Sequence, residues 1–247
     1  MKIYKSYRKI MLAGLLILCF SPAVNSQQGN KFVLAQLKYN GNWDPYPDMF
    51  GPVHNYLVNT TSINMIDERR IVTLNDRQLF YSPFLLFTGL GNYPAFTSEE
   101  IENLRNYIKG GGMLLIDTAG DPEFTESVDR TVKRVFPSRE YTRIPNDSAV
   151  FKSFYLIDFV SGRDIKAPYL EGIELDSRLA VIKSENDLPG VWPRGRTGDF
   201  RYELNPGKPA QRKEALKLTL NILIYSVSGT YKSDPVHQPH IERKRGR

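Results

Sequence analysis

Apolar positions along the chain follow two patterns: short unbroken runs, and longer stretches in which they recur at three- and four-residue steps. The runs are Phe84 to Thr88 (FLLFT) and Met113 to Asp117 (MLLID). So short and uniform a pattern predicts strands buried on both faces of a parallel sheet, not a sheet with one wet side. Phe32 to Tyr39 (FVLAQLKY) alternates as a first strand does. Ile101, Leu104 and Ile108 share one helical face, and Thr97-Ser98-Glu99-Glu100 before them has the capping-box pattern. Gly110 to Gly112 then supply the positive-φ stop that hands this helix to the next strand. Asp121-Pro122 opens another helix, with Phe124, Val128, Val132 and Val135 on one side and Pro137 ending it. Strand, helix, strand, helix predicts an α/β fold with a doubly wound, mostly parallel sheet and helices on both faces.

The remaining segments fit around that core. Pro52 suits the first turn of a short helix carrying Val53, Tyr56 and Leu57. Ser62 to Ile66 and Ile71 to Leu74 read as short extended pieces. Residues 138–170 are less regular, with a polar turn at Pro145-Asn146-Asp147 and an aromatic cluster, Phe151, Phe154, Tyr155 and Phe159, expected to cover a sheet edge. Gly172 to Leu175 and Leu179 to Ser184 read as paired strands, and Glu185 to Gly207 as a loop rich in Gly, Pro and Arg. Ala210 to Ser228 forms a last helix, with Leu216, Leu220, Leu223, Ile224 and Val227 expected inward and Gly229 as its stop.

The first residues have a different organisation. A basic start (Lys2, Lys5, Arg8, Lys9), an apolar stretch from Ile10 to Phe20 and a polar end closing on Val24-Asn25-Ser26 read as a secretory signal over residues 1–26, cleaved before Gln27. Leu18 before Cys19 argues against lipidation, and the apolar stretch is shorter than the roughly 20 residues of a membrane span. The expectation is a periplasmic or secreted protein with no span in the mature chain, one α/β domain over residues 27–231 and a basic, disordered tail over 232–247. Cys19 is the sole cysteine and leaves with the signal, so no disulfide or thiol nucleophile is expected in the mature protein. The formal charge of +6 suggests a nucleic-acid binder until it is located. The signal holds +4 and the tail +3, leaving −1 for the residues between them. A nearly neutral core argues against a phosphate-binding surface, so no nucleic-acid partner is expected.

In open α/β sheets ligands collect beyond the carboxyl ends of the strands, which draws attention to Asp117, Thr118, Asp121 and Glu123. Carboxylates there can bind a cation or act as an acid/base pair. The same residues also suit structural work, with Asp121 as a helix N-cap, Glu123 at the positive helix end and Asp117 capping loop amides. A second candidate joins the Ser184-Glu185-Asn186-Asp187-Leu188 turn and Trp192 to Trp43, Asp44, Tyr46 and Asp48 in the first loop. Aromatics beside acids hold sugars and peptides, and they also pack long loops onto a sheet. Other signals are excluded by their surroundings. Gly89-Leu90-Gly91 has Pro94 where a dinucleotide fingerprint needs its third glycine, and no G-x-S-x-G elbow, Walker motif or zinc ligand set occurs. His54 lies on a helix, and His237 with His240 form at most a loose clip in the tail. No metal and no cofactor are therefore expected, and the absence of a Cys or Ser nucleophile motif argues against an enzyme. The residues expected to bind a ligand are Trp43, Asp44, Tyr46, Asp117, Thr118, Asp121, Asp187 and Trp192, with Asp117 and Asp187 as the candidate catalytic pair.

Several of these stretches together resemble the bacterial domain-of-unknown-function family numbered 4159. They are Tyr81-Ser82-Pro83-Phe84, Thr97-Ser98-Glu99-Glu100, Gly111 through Asp117, Val135-Phe136-Pro137, and Asn186-Asp187-Leu188 before Trp192, with Asn221 and Tyr225 in the closing helix. The resemblance covers about residues 31–228 and implies a flavodoxin-like, three-layer sandwich of the class I glutamine amidotransferase type. It also implies a second acid and a histidine just after Asp117, where this chain has Thr118, Ala119 and Gly120, and a histidine after Asp147, where it has Ser148. The amidotransferase-type fold implies a cysteine at a strand-to-helix elbow, and this chain has none there. These departures tilt the expectation toward binding: an exported, non-catalytic or weakly catalytic domain that holds an envelope protein or glycan through its strand-end loops. The alternative is a periplasmic hydrolase of glycan or peptide that uses Asp117 and Asp187 with or without a divalent cation.

Overall fold

A computed structural model of the chain describes residues 31–229 and Arg243. The strands are β1 (Leu34–Leu37), β2 (Arg70–Val72), β3 (Phe84–Thr88), β4 (Met113–Asp117), β5 (Thr142–Arg143), β6 (Glu171–Leu175) and β7 (Arg178–Ser184). The helices are α1 (Phe50–Thr60), α2 (Ser98–Lys109), α3 (Pro122–Val135) and α4 (Gln211–Ser228). All seven strands form one mixed sheet in the order β2-β1-β3-β4-β7-β6-β5. The first five in that order run parallel, while β6 and β5 add an antiparallel edge.

Every residue of β3 and β4 is buried, as their unbroken apolar runs require. Successive side chains of these strands serve two cores. Phe84, Leu86, Met113 and Leu115 meet Val53 and Leu57 of α1 and Leu218 and Ile222 of α4 on one face. Leu85, Phe87, Leu114 and Ile116 meet Leu104 of α2 and Phe124 and Val128 of α3 on the other. Helix, sheet, helix is the layered result.

β1 departs from its expected alternation, because all four of its residues are buried. Gln36 tolerates this through its partners: its amide donates to the Trp43 carbonyl (3.0 Å) and its oxygen accepts from Arg69 (2.6 Å). Of the two extended pieces that follow α1, the first is reduced to a single bridge from Met65 to Phe32, and the second becomes β2.

Both predicted helix starts are present. Thr97 and Glu100 close a capping box on α2, and Asp121 caps α3 by accepting from the Phe124 amide (2.8 Å). The triple glycine divides its labour differently from the expectation. Gly110 has φ −74°, and only Gly111 is left-handed, at φ +109°. Gly112 is needed for closeness, since a Cβ there would run into the ring of Tyr107.

The inward face of α4 also needs correction. Val227 is 51% exposed and Leu216 only partly buried, whereas every residue from Leu218 to Tyr225 is buried. A second cover explains the wide face. Residues 149–157 lie against α4, where the Asn221 amide donates to the carbonyls of Val150 (3.0 Å) and Tyr155 (2.8 Å). The aromatic segment therefore covers a helix, and β5 forms the sheet edge. Phe151 is buried within it, while Phe154 and Phe159 remain about half exposed. The signal assigned to residues 1–26 and the tail with His237 and His240 lie outside the described residues, save Arg243.

Candidate functional site

Parallel pairing sets Asp117 at the end of β4 beside Ser184 at the end of β7. The chain leaves β4 through a tight turn in which Ala119 (φ +50°) and Gly120 (φ +69°) are both left-handed. That turn brings the Ala119 amide back to Asp117 Oδ1 (2.9 Å), while Oδ2 accepts from the Leu188 amide (2.8 Å). Asp117 has no exposed surface. Burial pushes its carboxyl up to about 7 and the charge of Asp187 adds to this, while the two amides and Ser184 pull the other way.

Asp187 is equally buried and adopts a left-handed φ of +55°, uncommon for a residue with a side chain. Its Oδ1 accepts from the Gly190 amide (3.1 Å), and its Oδ2 from the Tyr46 hydroxyl (2.7 Å) and from Arg163 Nε. Burial, then Asp187, drive the Tyr46 hydroxyl far above its ordinary range. Burial pulls Arg163 down, but Asp187 beside it outweighs this and leaves it raised. Neither carboxylate lines an open cleft. Together they clasp the ends of β4 and β7 to the first loop, through Tyr46, and to the segment at Arg163.

Two further polar side chains complete the clasp. Asn186 accepts from the amides of Lys166 (2.7 Å) and Ala167 (2.8 Å) and donates to the Ala167 carbonyl (2.7 Å). Gln211 donates to the carbonyls of Gly162, Arg163 and Asn205, and accepts from the amides of Gly207 and Lys208. Each satisfies several backbone groups that buried loops otherwise leave unpaired.

This strand-end arrangement lies inside a region, residues 33–227, that the model of the family described as Domain of unknown function (DUF4159) matches. The chain belongs to the DUF4159 family. No curated protein matches it.

The DUF4159 domain brings only some of the expected site residues together. Tyr46, Asp117 and Asp187 meet, with Thr118 beside them. Thr118 is buried, its amide donates to the Ser184 carbonyl (2.9 Å), and its hydroxyl has no partner among the described residues. Trp43 and Asp44 belong to a separate network. Arg69 donates to both Asp44 oxygens, and its guanidinium lies 5.5 Å from the centre of the Trp43 ring. Asp121 caps α3 and also accepts from the Gly91 amide (3.2 Å), Glu123 is exposed, and Asp48 pairs with Arg201. Trp192 is buried edge-on to Tyr56, with centroids 5.5 Å apart.

Arg163 and Gln211 are not singled out as site residues by the sequence, and Asn186 enters only as a member of the candidate 184–188 turn. Arg163 sits in an irregular segment, and Gln211 opens a helix at a position that periodicity treats as surface. The usable signal was the Asn186-Asp187 pair itself, since both residue types tolerate the left-handed conformation found at Asp187.

The interior between α1, α4 and the sheet holds an apolar cavity of about 20 Å³, lined by Leu34, Met49, Val53, Phe84 and Trp192 among others. It has space for about one water and no ligand. Among the described residues, no group of three or more His, Cys, Asp or Glu is placed to hold a metal ion. No helix among them is long and apolar enough to cross a membrane.

Proposed function

We propose that this chain is an exported, non-catalytic binding domain that holds an envelope protein or glycan through the loops at the carboxyl ends of its strands. One observation carries this reading: both candidate catalytic carboxylates are shut from solvent, their oxygens occupied by amides, Tyr46 and Arg163. A general acid, base or nucleophile must reach its substrate, whereas a clasp must hold loops still. Loops held rigid reduce the ordering cost of binding. The flavodoxin-like, amidotransferase-type sandwich implied by the resemblance agrees with the order β2-β1-β3-β4-β7 of the parallel strands. Export rests on the basic and apolar pattern of residues 1–26.

The hydrolase reading draws on one specific feature, the Asp117 carboxyl raised to about 7 beside a second acid. A single experiment separates the two. The purified chain is incubated with washed envelope fragments, scoring both retention on the fragments and release of reducing sugars or amino groups. Retention without release, unchanged in Asp117→Asn, is the expected outcome. Release that Asp117→Asn and Asp187→Asn abolish would overturn it in favour of a carboxylate-pair hydrolase. N-terminal sequencing of the exported protein should begin at Gln27.

A further inference from the structure

A shallow, open groove of about 450 Å³ runs along the outer side of α1 and is bordered by Trp192 and Arg194. Its size falls within the range of small-ligand sites. Val53 and Leu57 point α1 toward the core, so the opposite side of the helix is free to carry recognition. Gly51, Asn55 and Asn59 follow one another at four-residue steps and so form one row, with Tyr56 beside them. Gly51 leaves the groove open at its start, since a Cβ there would meet no atom within 4 Å.

The chemistry of this lining is that of a sugar site with one positive end. The Asn59 amide offers two donors and an acceptor, and Asn55, whose Oδ1 lies 3.5 Å from His54 Nδ1, offers its two donors, a combination that suits vicinal hydroxyls. Tyr56, half-buried, supplies apolar surface and packs edge-on against the buried Trp192, whose Nε1 has no hydrogen-bond partner among the described residues. No carboxylate lines the groove. Arg194 forms no ion pair among the described residues; its Nη1 donates to the Gly198 carbonyl (3.3 Å), and its guanidinium carbon lies over Phe200, 3.5 Å from the ring centre. Arg212 lies over the same ring at 4.0 Å and donates to the carbonyls of Val191 and Tyr202, so two guanidiniums gather here, the charge of Glu203 bearing on Arg212 and leaving Arg194 as the cation that faces the groove. A guanidinium held in a fixed plane is suited to bidentate recognition of a carboxylate.

We infer that this groove binds an acidic oligosaccharide, with sugar hydroxyls on Asn55 and Asn59 and a hexuronic-acid carboxylate on Arg194. The inference rests on the reading of the chain as a binding domain and names its ligand class and its subsite.

The test is calorimetric titration of the purified chain with tetragalacturonate, against neutral galactotetraose and poly-L-glutamate. Saturable galacturonate binding at least tenfold tighter than that of the neutral sugar is expected. Arg194→Ala should weaken it by tenfold or more, the usual loss for one charge-assisted contact. Gly51→Phe should abolish it by filling the groove, while Gly51→Ala should bind normally. Both Gly51 variants introduce their Cβ into open space, so they keep the fold. Absent galacturonate binding, binding unchanged in Gly51→Phe, or a preference for polyglutamate would overturn the proposal. Retention on envelope fragments reads the parent proposal separately: if it persists in Gly51→Phe while galacturonate binding is absent throughout, the glycan assignment fails and the binding domain stands.

Discussion

Asp117 makes the stability of the folded chain depend on pH in a direction opposite to most carboxylates. Burial and the neighbouring Asp187 raise its folded-state pKa to about 7, so the folded chain holds this proton more tightly than the unfolded chain does. The resulting stabilisation is fully present below the unfolded value of about 4 and is lost as pH rises through about 7. The unfolding free energy should therefore fall by an amount on the order of a few kcal/mol across that window, then level off. In Asp117→Asn this component should vanish, which denaturant titrations between pH 4.5 and 8.5 will show directly. Asp187 is held by partners of its own. Tyr46→Phe removes one hydrogen bond to a charged group and should cost about 1.5–3 kcal/mol. Arg163→Met leaves a buried charge without its cation and should cost about 2–4 kcal/mol, less than a fully buried pair because the guanidinium is partly exposed. In the double variant Arg163→Met, Asp187→Asn the loss should be smaller than the sum of the two single losses, as expected of side chains in one network. Asp117 was legible in the sequence because a carboxylate ending an apolar run marks a strand end. Its contact with the 187–190 turn was not legible, and neither was the bond from Tyr46 to Asp187, which lies 141 residues further along the chain.

At the scale of elements, local chemistry was the most readable layer, and the helix starts show why. A cap is satisfied by residues three apart, so Thr97 with Glu100, and Asp121 with Phe124, could be recognised without knowing what surrounds them. Asp121→Ala should destabilise the fold by about 1–2 kcal/mol through loss of the α3 cap. The same substitution should leave ligand retention intact, which would separate its capping role from the binding role that its strand-end position suggests. Gly111→Ala forces a side chain into φ +109° and should cost at least about 1–2 kcal/mol in the same denaturant assay. What periodicity could not supply is the number of sides on which an element is covered. It assigned α4 a single inward stripe ending at Val227, but the 149–157 segment covers a second side and buries a continuous run from Leu218 to Tyr225. β1 failed in the same way, because Gln36 looked like the wet side of an alternating strand until Arg69 and Trp43 were brought to it.

Across the whole molecule the sheet is asymmetric, and this sets where it should open. β3 and β4 lie inside the parallel half, are buried throughout and pair over their full lengths, Phe84 with Met113 through to Thr88 with Asp117. β2 and β5 end the sheet as strands of three and two residues, and both residues of β5 are exposed. The antiparallel β6 and β7 lie between β4 and the β5 edge, so loss of β5 need not disturb the clasp between Asp117 and the β7 loop. Native-state hydrogen exchange should accordingly show β3 and β4 amides exchanging only through global unfolding, with β5 and β2 exchanging through local opening. The amides of Leu188 and Gly190 provide the deciding comparison, since both donate to the buried carboxylates. If they are protected as strongly as β4, the clasp belongs to the cooperative core and the strand-end loops are a rigid platform. If they exchange as freely as β5, the loops open without unfolding, Asp117 becomes reachable, and the carboxylate-pair chemistry that burial now argues against regains a route to substrate.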